Sequence, residues 1–129
     1  MAAAHGRLVI CHSRELVERG RGVRFEISRR GEIVPAFVIR FEGQVHGYVN
    51  RCAHRMLELD WIDGEYFDAF GEHLLCATHG ARYAPASGMC VGGPCGGAGL
   101  VKLPVFEDNG DVCFEPGDEI HLINSDEVT

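Results

Sequence analysis

Two short segments, Cys52-Ala53-His54 and Cys76-Ala77-Thr78-His79-Gly80, restrict what this chain can fold into more than any other feature. Each offers one thiolate and one imidazole, and residues 55 to 75 lie between them. A Cys-x-His pair is too closely spaced for two ligands on one helical face, where partners recur at i, i+3 and i+4, and both segments read as ligand-bearing loops. Two such loops can close on one metal centre from opposite sides. The matched Cys and His pairs point to a cofactor site, and the fold must supply a frame that brings the loops together.

That frame reads as β-structure. Short β-prone runs, Leu8 to Cys11, Val23 to Ser28, Ile33 to Phe41 and Val45 to Asn50, are punctuated by turns. Arg30-Gly31 and Glu42-Gly43 supply tight connections, so the last three runs predict an antiparallel meander. Arg14 to Gly20 reads as either a turn of helix or a loop. His73-Leu74-Leu75 predicts the strand that delivers Cys76, and Arg82-Tyr83 and Met89-Cys90 predict short strands leading away from it. At 129 residues the chain is expected to form a single domain, 1–129, with a core of about 8–115 and a C-terminal tail of about 116–129.

Twelve basic residues against nineteen acidic give a net charge of -7, which excludes nucleic acid as a partner because its recognition needs a basic footprint. The charge serves either solubility or docking on a basic partner. No apolar run resembles a signal peptide or spans 18 residues, so no membrane is expected and the cytoplasm is the expected compartment. There is no nucleotide fingerprint, the Gly-rich run from Gly92 to Gly99 lacks a Gly-Lys-Ser/Thr ending, and no catalytic residue can be assigned.

Around its Cys and His pairs the chain resembles the Rieske iron-sulfur family, whose pattern is Cys-x-His, a spacer, then Cys-x-x-His. The resemblance continues through Gly80, Tyr83, Ser87-Gly88, Gly93-Pro94, Leu103-Pro104-Val105 and the hairpin Asp108-Asn109-Gly110-Asp111, in family order over roughly residues 8 to 115. It implies one [2Fe-2S] cluster, with Cys52 and Cys76 on one iron and His54 and His79 on the other. It also implies an all-β fold, a Rieske-like antiparallel β-sandwich or partial barrel with a smaller cluster-binding subdomain. The implied function is one-electron transfer by a soluble ferredoxin of the oxygenase-associated branch. Its redox partners would be a flavin- or nicotinamide-dependent reductase and a terminal oxygenase. One alternative is a Rieske-like small subunit of a larger reductase of the nitrite reductase type. Another is a binding module holding zinc or a redox-sensing cluster, since two Cys and two His also form a zinc set. Structural zinc loops usually pair Cys with Cys, whereas one of each per loop matches the Rieske arrangement.

The resemblance assigns further roles around the cluster. Gly80 lets the second loop turn tightly without a Cβ clash, Gly93-Pro94 begins a third loop over the cluster, and Arg55 contacts a partner or stabilises the reduced site. High-potential relatives place a hydroxyl donor two residues after the last His and a Tyr donor four residues after it; here those positions are Ala81 and Tyr83. Tyr83 either donates to a cysteine sulfur or simply packs beneath the cluster, and the expected potential is low but not minimal. An oxidised core carries two positive charges, so two thiolates and two neutral imidazoles leave the site near neutrality. The family's potentials accordingly run from about -150 to +300 mV against about -400 mV for four-Cys plant-type clusters.

The inter-loop disulfide of high-potential relatives is absent, because its positions are Leu57 and Thr78, and this fits a reducing compartment. Cys11 and Cys113 read as buried small hydrophobes, while Cys90 and Cys95 flank a Gly-rich loop that can bring them together. The spacer exceeds the commoner family length around Asp60-Trp61-Ile62-Asp63-Gly64-Glu65-Tyr66-Phe67-Asp68-Ala69-Phe70. Its aromatics either form a local lid over the sheet or a docking surface. His5, His12, His46, His73 and His121 follow no ligand spacing.

Overall fold

Tight hairpins set the architecture. Arg30-Gly31 joins β2 (Val23–Arg29) to β3 (Glu32–Phe41), Glu42-Gly43 joins β3 to β4 (Gln44–Val49), and Asn109-Gly110 joins β9 (Val105–Asp108) to β10 (Asp111–Phe114). Both central residues of each turn have positive φ, 53° and 81°, 54° and 80°, and 52° and 81°. That geometry matches the right-handed twist of the flanking strands, and a glycine in the second place accommodates it without a Cβ penalty. The computed structural model describes residues 8–51, 58–60, 64–77, 80–93, 98–116 and 120–123.

The other described strands are β1 (Leu8–His12), β5 (Leu74–Leu75), β6 (Arg82–Tyr83), β7 (Cys90–Gly92), β8 (Lys102–Leu103) and β11 (Ile120–Ile123). They assemble into a five-stranded sheet, β11-β2-β3-β4-β8, and two three-stranded sheets, β1-β10-β9 and β5-β6-β7. All strand pairs are antiparallel. The all-β fold of two base sheets and a smaller sheet therefore stands as expected. Among the described residues no helix is long and apolar enough to cross a membrane.

β3 divides the interior. Val34, Ala36 and Val38, on one face, join the cores that also hold Ile27, Val49, Leu103, Val112 and Phe114. Phe37 and Ile39, on the other face, join Tyr48, Leu59, Tyr66, Leu74, Cys76, Ala81 and Tyr83. Alternation along one strand thus fills two cores, one within the base and one beneath the small sheet. Cys11 and Cys113 are buried in the base and form no disulfide, as expected, and burial pushes the Cys11 thiol up to about 12.

Of the two readings of Arg14 to Gly20, the structure has a single 3-10 turn at Ser13–Glu15 followed by a loop, with the His12 backbone N–H donating to Glu15 Oε2 at 2.8 Å. Arg40 holds this segment against the sheet, donating to the carbonyls of Leu16 at 2.8 Å and Ser13 at 3.1 Å and to Glu107 Oε2 at 2.6 Å. Within the expected tail, Ile120–Ile123 pairs with β2 and satisfies what would otherwise be an open sheet edge. The strand expected at Met89-Cys90 runs from Cys90 to Gly92, because Ala84 accommodates Met89 in a turn through an N–H to Met89 carbonyl bond of 2.9 Å.

The hydrogen bonds from Arg40 hold the Glu107 carboxyl below its ordinary value of 4.5. A depressed carboxyl contributes stability above the ordinary value, and that contribution is lost as pH falls through the folded value. Replacing Glu107→Gln should therefore lower urea-denaturation stability at neutral pH by about 1 kcal/mol or less, as for a partly exposed ion pair. The difference from wild type should vanish in acid; a difference that persists below pH ~3 would sink this account.

Candidate metal centre

Leu74 and Leu75 run antiparallel to Tyr83 and Arg82, and the chain turns immediately beyond them at Cys76. Cys76 is fully buried and forms no disulfide. Its N–H donates to the Ala81 carbonyl and its carbonyl accepts from the Gly80 N–H, both at 2.8 Å, so the second Cys/His segment is a closed turn seated on β5 and β6. Gly80 adopts φ 77° with nothing within 4 Å of where a Cβ would stand. Glycine is thus suited here by backbone conformation, not by a close approach. The close approach falls at Gly93, φ 81°, where a Cβ would lie 2.6 Å from the Gly80 carbonyl oxygen and 2.9 Å from Ala81 Cα. The third loop begins against the backbone of the second.

Cys52, His54, Arg55, His79, Pro94 and Cys95 lie outside the described residues. The two ends of the first Cys/His segment are nevertheless fixed. On one side stands Asn50, fully buried, whose Oδ1 accepts the Leu59 N–H at 2.9 Å from the other side. The Leu59 carbonyl in turn accepts the Ala77 N–H at 3.0 Å. A continuous path of hydrogen bonds therefore joins both ends of the first segment to the residue that follows Cys76. The structure brings the flanks of the two segments together as the spacing required.

The spacer supplies the remaining wall. The Leu75 N–H donates to the Tyr66 carbonyl at 2.8 Å, and Phe67 bridges to Leu74. Tyr66 stacks on Phe37 with ring centroids 3.8 Å apart, and Phe67 lies 6.2 Å from Phe41. These two aromatics form the lid. Phe70 is 82% exposed and takes no part in it, while Trp61 lies outside the described residues. Tyr83 is fully buried in the same core as Cys76 and Ala81. Cys90 is disulfide-bonded, and Cys95 lies outside the described residues.

Of the histidines without ligand spacing, His12 lies 3.2 Å from Asp111, His73 3.5 Å from Asp68, and His46 3.2 Å from the Lys102 ammonium. Burial, then the Lys102 charge, pulls the His46 pKa down. Among the described residues no group of three or more His, Cys, Asp or Glu side chains could hold a metal. Of the four expected ligands Cys76 lies among the described residues, and its buried thiol fits a soft metal that thiolates and imidazoles share. Sequence reasoning missed Asn50 and Asp60; the one available signal was a pair of short polar residues beside apolar runs that end in buried positions.

A profile of the Rieske [2Fe-2S] domain matches residues 6–107. No curated protein sequence matches the chain. Among solved structures, the chain is similar to the ferredoxin of carbazole 1,9a-dioxygenase from Nocardioides aromaticivorans IC177, with 19% identity, a TM-score of 0.66, and coverage of 86% of this chain and 98% of that one. It is similar to the Sphingomonas yanoikuyae B1 ferredoxin at 21% identity, TM-score 0.65, with coverage of 86% and 99%. It is also similar to the terminal oxygenase of carbazole 1,9a-dioxygenase from Nocardioides aromaticivorans IC177 at 24% identity and TM-score 0.67, over 89% of this chain and 31% of the oxygenase.

The stacking of Gly93 on Gly80 yields a paired test. Gly93→Ala combines positive φ with a backbone clash and should cost about 1–3 kcal/mol. Gly92→Ala, with nothing within 4 Å of its added methyl, is the control and should leave the denaturation midpoint unchanged. Equal stability of the two variants would show that the third loop does not rest on the second.

Proposed function

Because the chain belongs to the Rieske [2Fe-2S] domain family, we propose that it is a one-electron carrier whose cluster is held by Cys52 and Cys76 on one iron and His54 and His79 on the other. The observation that carries this reading is Cys76, a buried thiol at a strand end, tied through Ala77 and Leu59 to the far end of the first Cys/His segment. When bound, such a cluster supplies a redox site close to electrical neutrality in its oxidised state. The chain's own part is to keep the Cys76 sulfur dry, to hold the two segments at a fixed separation, and to limit water access with the loop that begins at Gly93. Pro94 continues that loop, and Arg55 stands ready for partner contact or for stabilising the reduced site.

The finer reading is a ferredoxin that receives electrons from a flavin- or nicotinamide-dependent reductase and passes them to a terminal oxygenase in the cytoplasm. Its support is the likeness in fold to two ferredoxins, one of them named with carbazole 1,9a-dioxygenase, almost all of whose length the chain covers. A small subunit of a nitrite-reductase-type enzyme and a zinc module remain the competing readings, and no observation favours either. The disulfide at Cys90 is unusual for the reducing compartment that the missing inter-loop disulfide fits.

Ala81 supplies no hydroxyl, which leaves Tyr83 as the donor this reading assigns to a cysteine sulfur and places the potential in the lower part of the family range. The anaerobically purified protein should be red-brown, bleach on dithionite, and give the electron paramagnetic resonance signal of a reduced histidine-ligated [2Fe-2S] centre. A colourless protein with one zinc per chain refutes the carrier. In voltammetry Tyr83→Phe should lower the midpoint potential, because a donor to sulfur stabilises the more negative reduced state; an unchanged potential leaves Tyr83 a packing residue only.

A further inference from the structure

Beside the first Cys/His segment lies a buried polar cluster that the proposed electron transfer does not itself require. Asp60 and Asn50 are 6% and 0% exposed, in a neighbourhood of Tyr66, Leu59 and Phe37. Burying a carboxylate and an amide together is costly unless every group is matched, and here the matching is specific. Asp60 Oδ1 accepts from Asn50 Nδ2 at 2.9 Å, and Asp60 Oδ2 accepts the Gly64 N–H at 3.0 Å with Arg24 Nε 3.7 Å away. Tyr66 Oη lies 3.3 Å from Asn50 Nδ2, and burial followed by the Asp60 charge drives its hydroxyl pKa upward. Arg24 also donates to Glu58 Oε1 at 2.6 Å, fixing the residue next to Leu59.

The geometry has a direction. An ionised carboxylate can only accept, so Asp60 compels Asn50 to turn its NH2 toward it. The Asn50 Oδ1 then faces the opposite way and takes the Leu59 N–H. Leu59, so fixed, offers its carbonyl to Ala77, the neighbour of Cys76. We propose that Asp60, acting through the orientation of the Asn50 amide, is the positioning residue that holds the first Cys/His segment in register with the second. The inference rests on the carrier reading for its consequence at the cluster, but its geometric content concerns this chain alone. It also gives the long spacer a purpose: the residues beyond Leu59 return through Gly64 and Tyr66 to close the cluster around Asp60.

The test compares purified wild type with Asp60→Asn, Asn50→Ala and the double variant by hydrogen exchange with mass spectrometry, iron content and electron paramagnetic resonance. Asp60→Asn can present its own NH2 and so frees the Asn50 amide to flip. Peptides containing Leu59 and Ala77 should then exchange about tenfold faster, while β2 and β3 peptides stay unchanged. Iron per chain should fall, and the g values of the remaining centre should shift. Because Asp60 acts through Asn50, the double variant should be no worse than Asn50→Ala alone. Additive effects, or wild-type exchange and g values in Asp60→Asn, overturn the proposal. Should Asp60→Asn fail to fold, Tyr66→Phe retains the ring stacked on Phe37 and removes only the hydroxyl; it should raise exchange at the same two sites, and no change there overturns the proposal. If wild type carries no iron-sulfur signal the carrier reading fails, yet the exchange data still decide the positioning role.

Discussion

Strand β3 sends Val34, Ala36 and Val38 into the two base clusters and Phe37 and Ile39 into the core beneath the small sheet, and both sides depend on that single alternation. A strand buried on both faces cannot slip by one residue without exchanging the contents of two cores, so its register with β2 and β4 is strongly specified. The small sheet inherits this rigidity. Tyr66 stacks on Phe37, and Tyr48, from the adjacent strand, donates at 2.6 Å to the Pro85 carbonyl in the turn between β6 and β7. The cofactor subdomain is thus anchored by aromatic side chains that rise from the base sheet.

Apolar anchoring alone would leave the loops free to choose among conformations, since hydrophobic contact has no direction. Direction comes from hydrogen bonds at the loop ends. Asn50 closes the first segment through Leu59, Cys76 closes the second through Gly80 and Ala81, and Leu59 joins them through Ala77. The charged part of this arrangement is confined to Asp60, whose side chain is shielded from solvent and faces Arg24. A half-satisfied network there would be worse than an apolar one, and Gly64, Tyr66 and Asn50 all hydrogen-bond the same carboxylate.

Much of this was legible in the sequence, for local reasons. Arg30-Gly31, Glu42-Gly43 and Asn109-Gly110 announce hairpins because the turn conformation is a property of those residues themselves. The run Ile33 to Phe41 has too few polar residues to face water on either side, which marks a strand inside the fold. Cys76, Gly80, Tyr83 and Gly93 were found because motif spacing is linear information. Asn50 and Asp60 were not, because satisfaction of a buried polar group depends on partners 9 to 16 residues away that only the folded chain assembles. Likewise Ile120–Ile123 is a strand because β2 offers an edge, a fact no reading of the last residues alone contains. The reason for Gly80 needed coordinates too: its positive φ and the close approach at Gly93 are separate constraints that the sequence shows as two identical letters.

The same division bears on how a cofactor of this family could be retained by so small a frame. Ligand atoms drawn from two flexible loops must be ordered when the metal binds, and the entropy of that ordering is charged against affinity. Here the ordering of both segment ends is already complete in the polypeptide, through backbone and amide contacts that involve no ligand atom. Preorganisation of this kind raises affinity without adding a contact to the metal. On the proposed carrier reading, the electronic environment and the spacing of the ligands would then be adjustable separately, the first through Ala81 and Tyr83 and the second through Asn50 and Asp60.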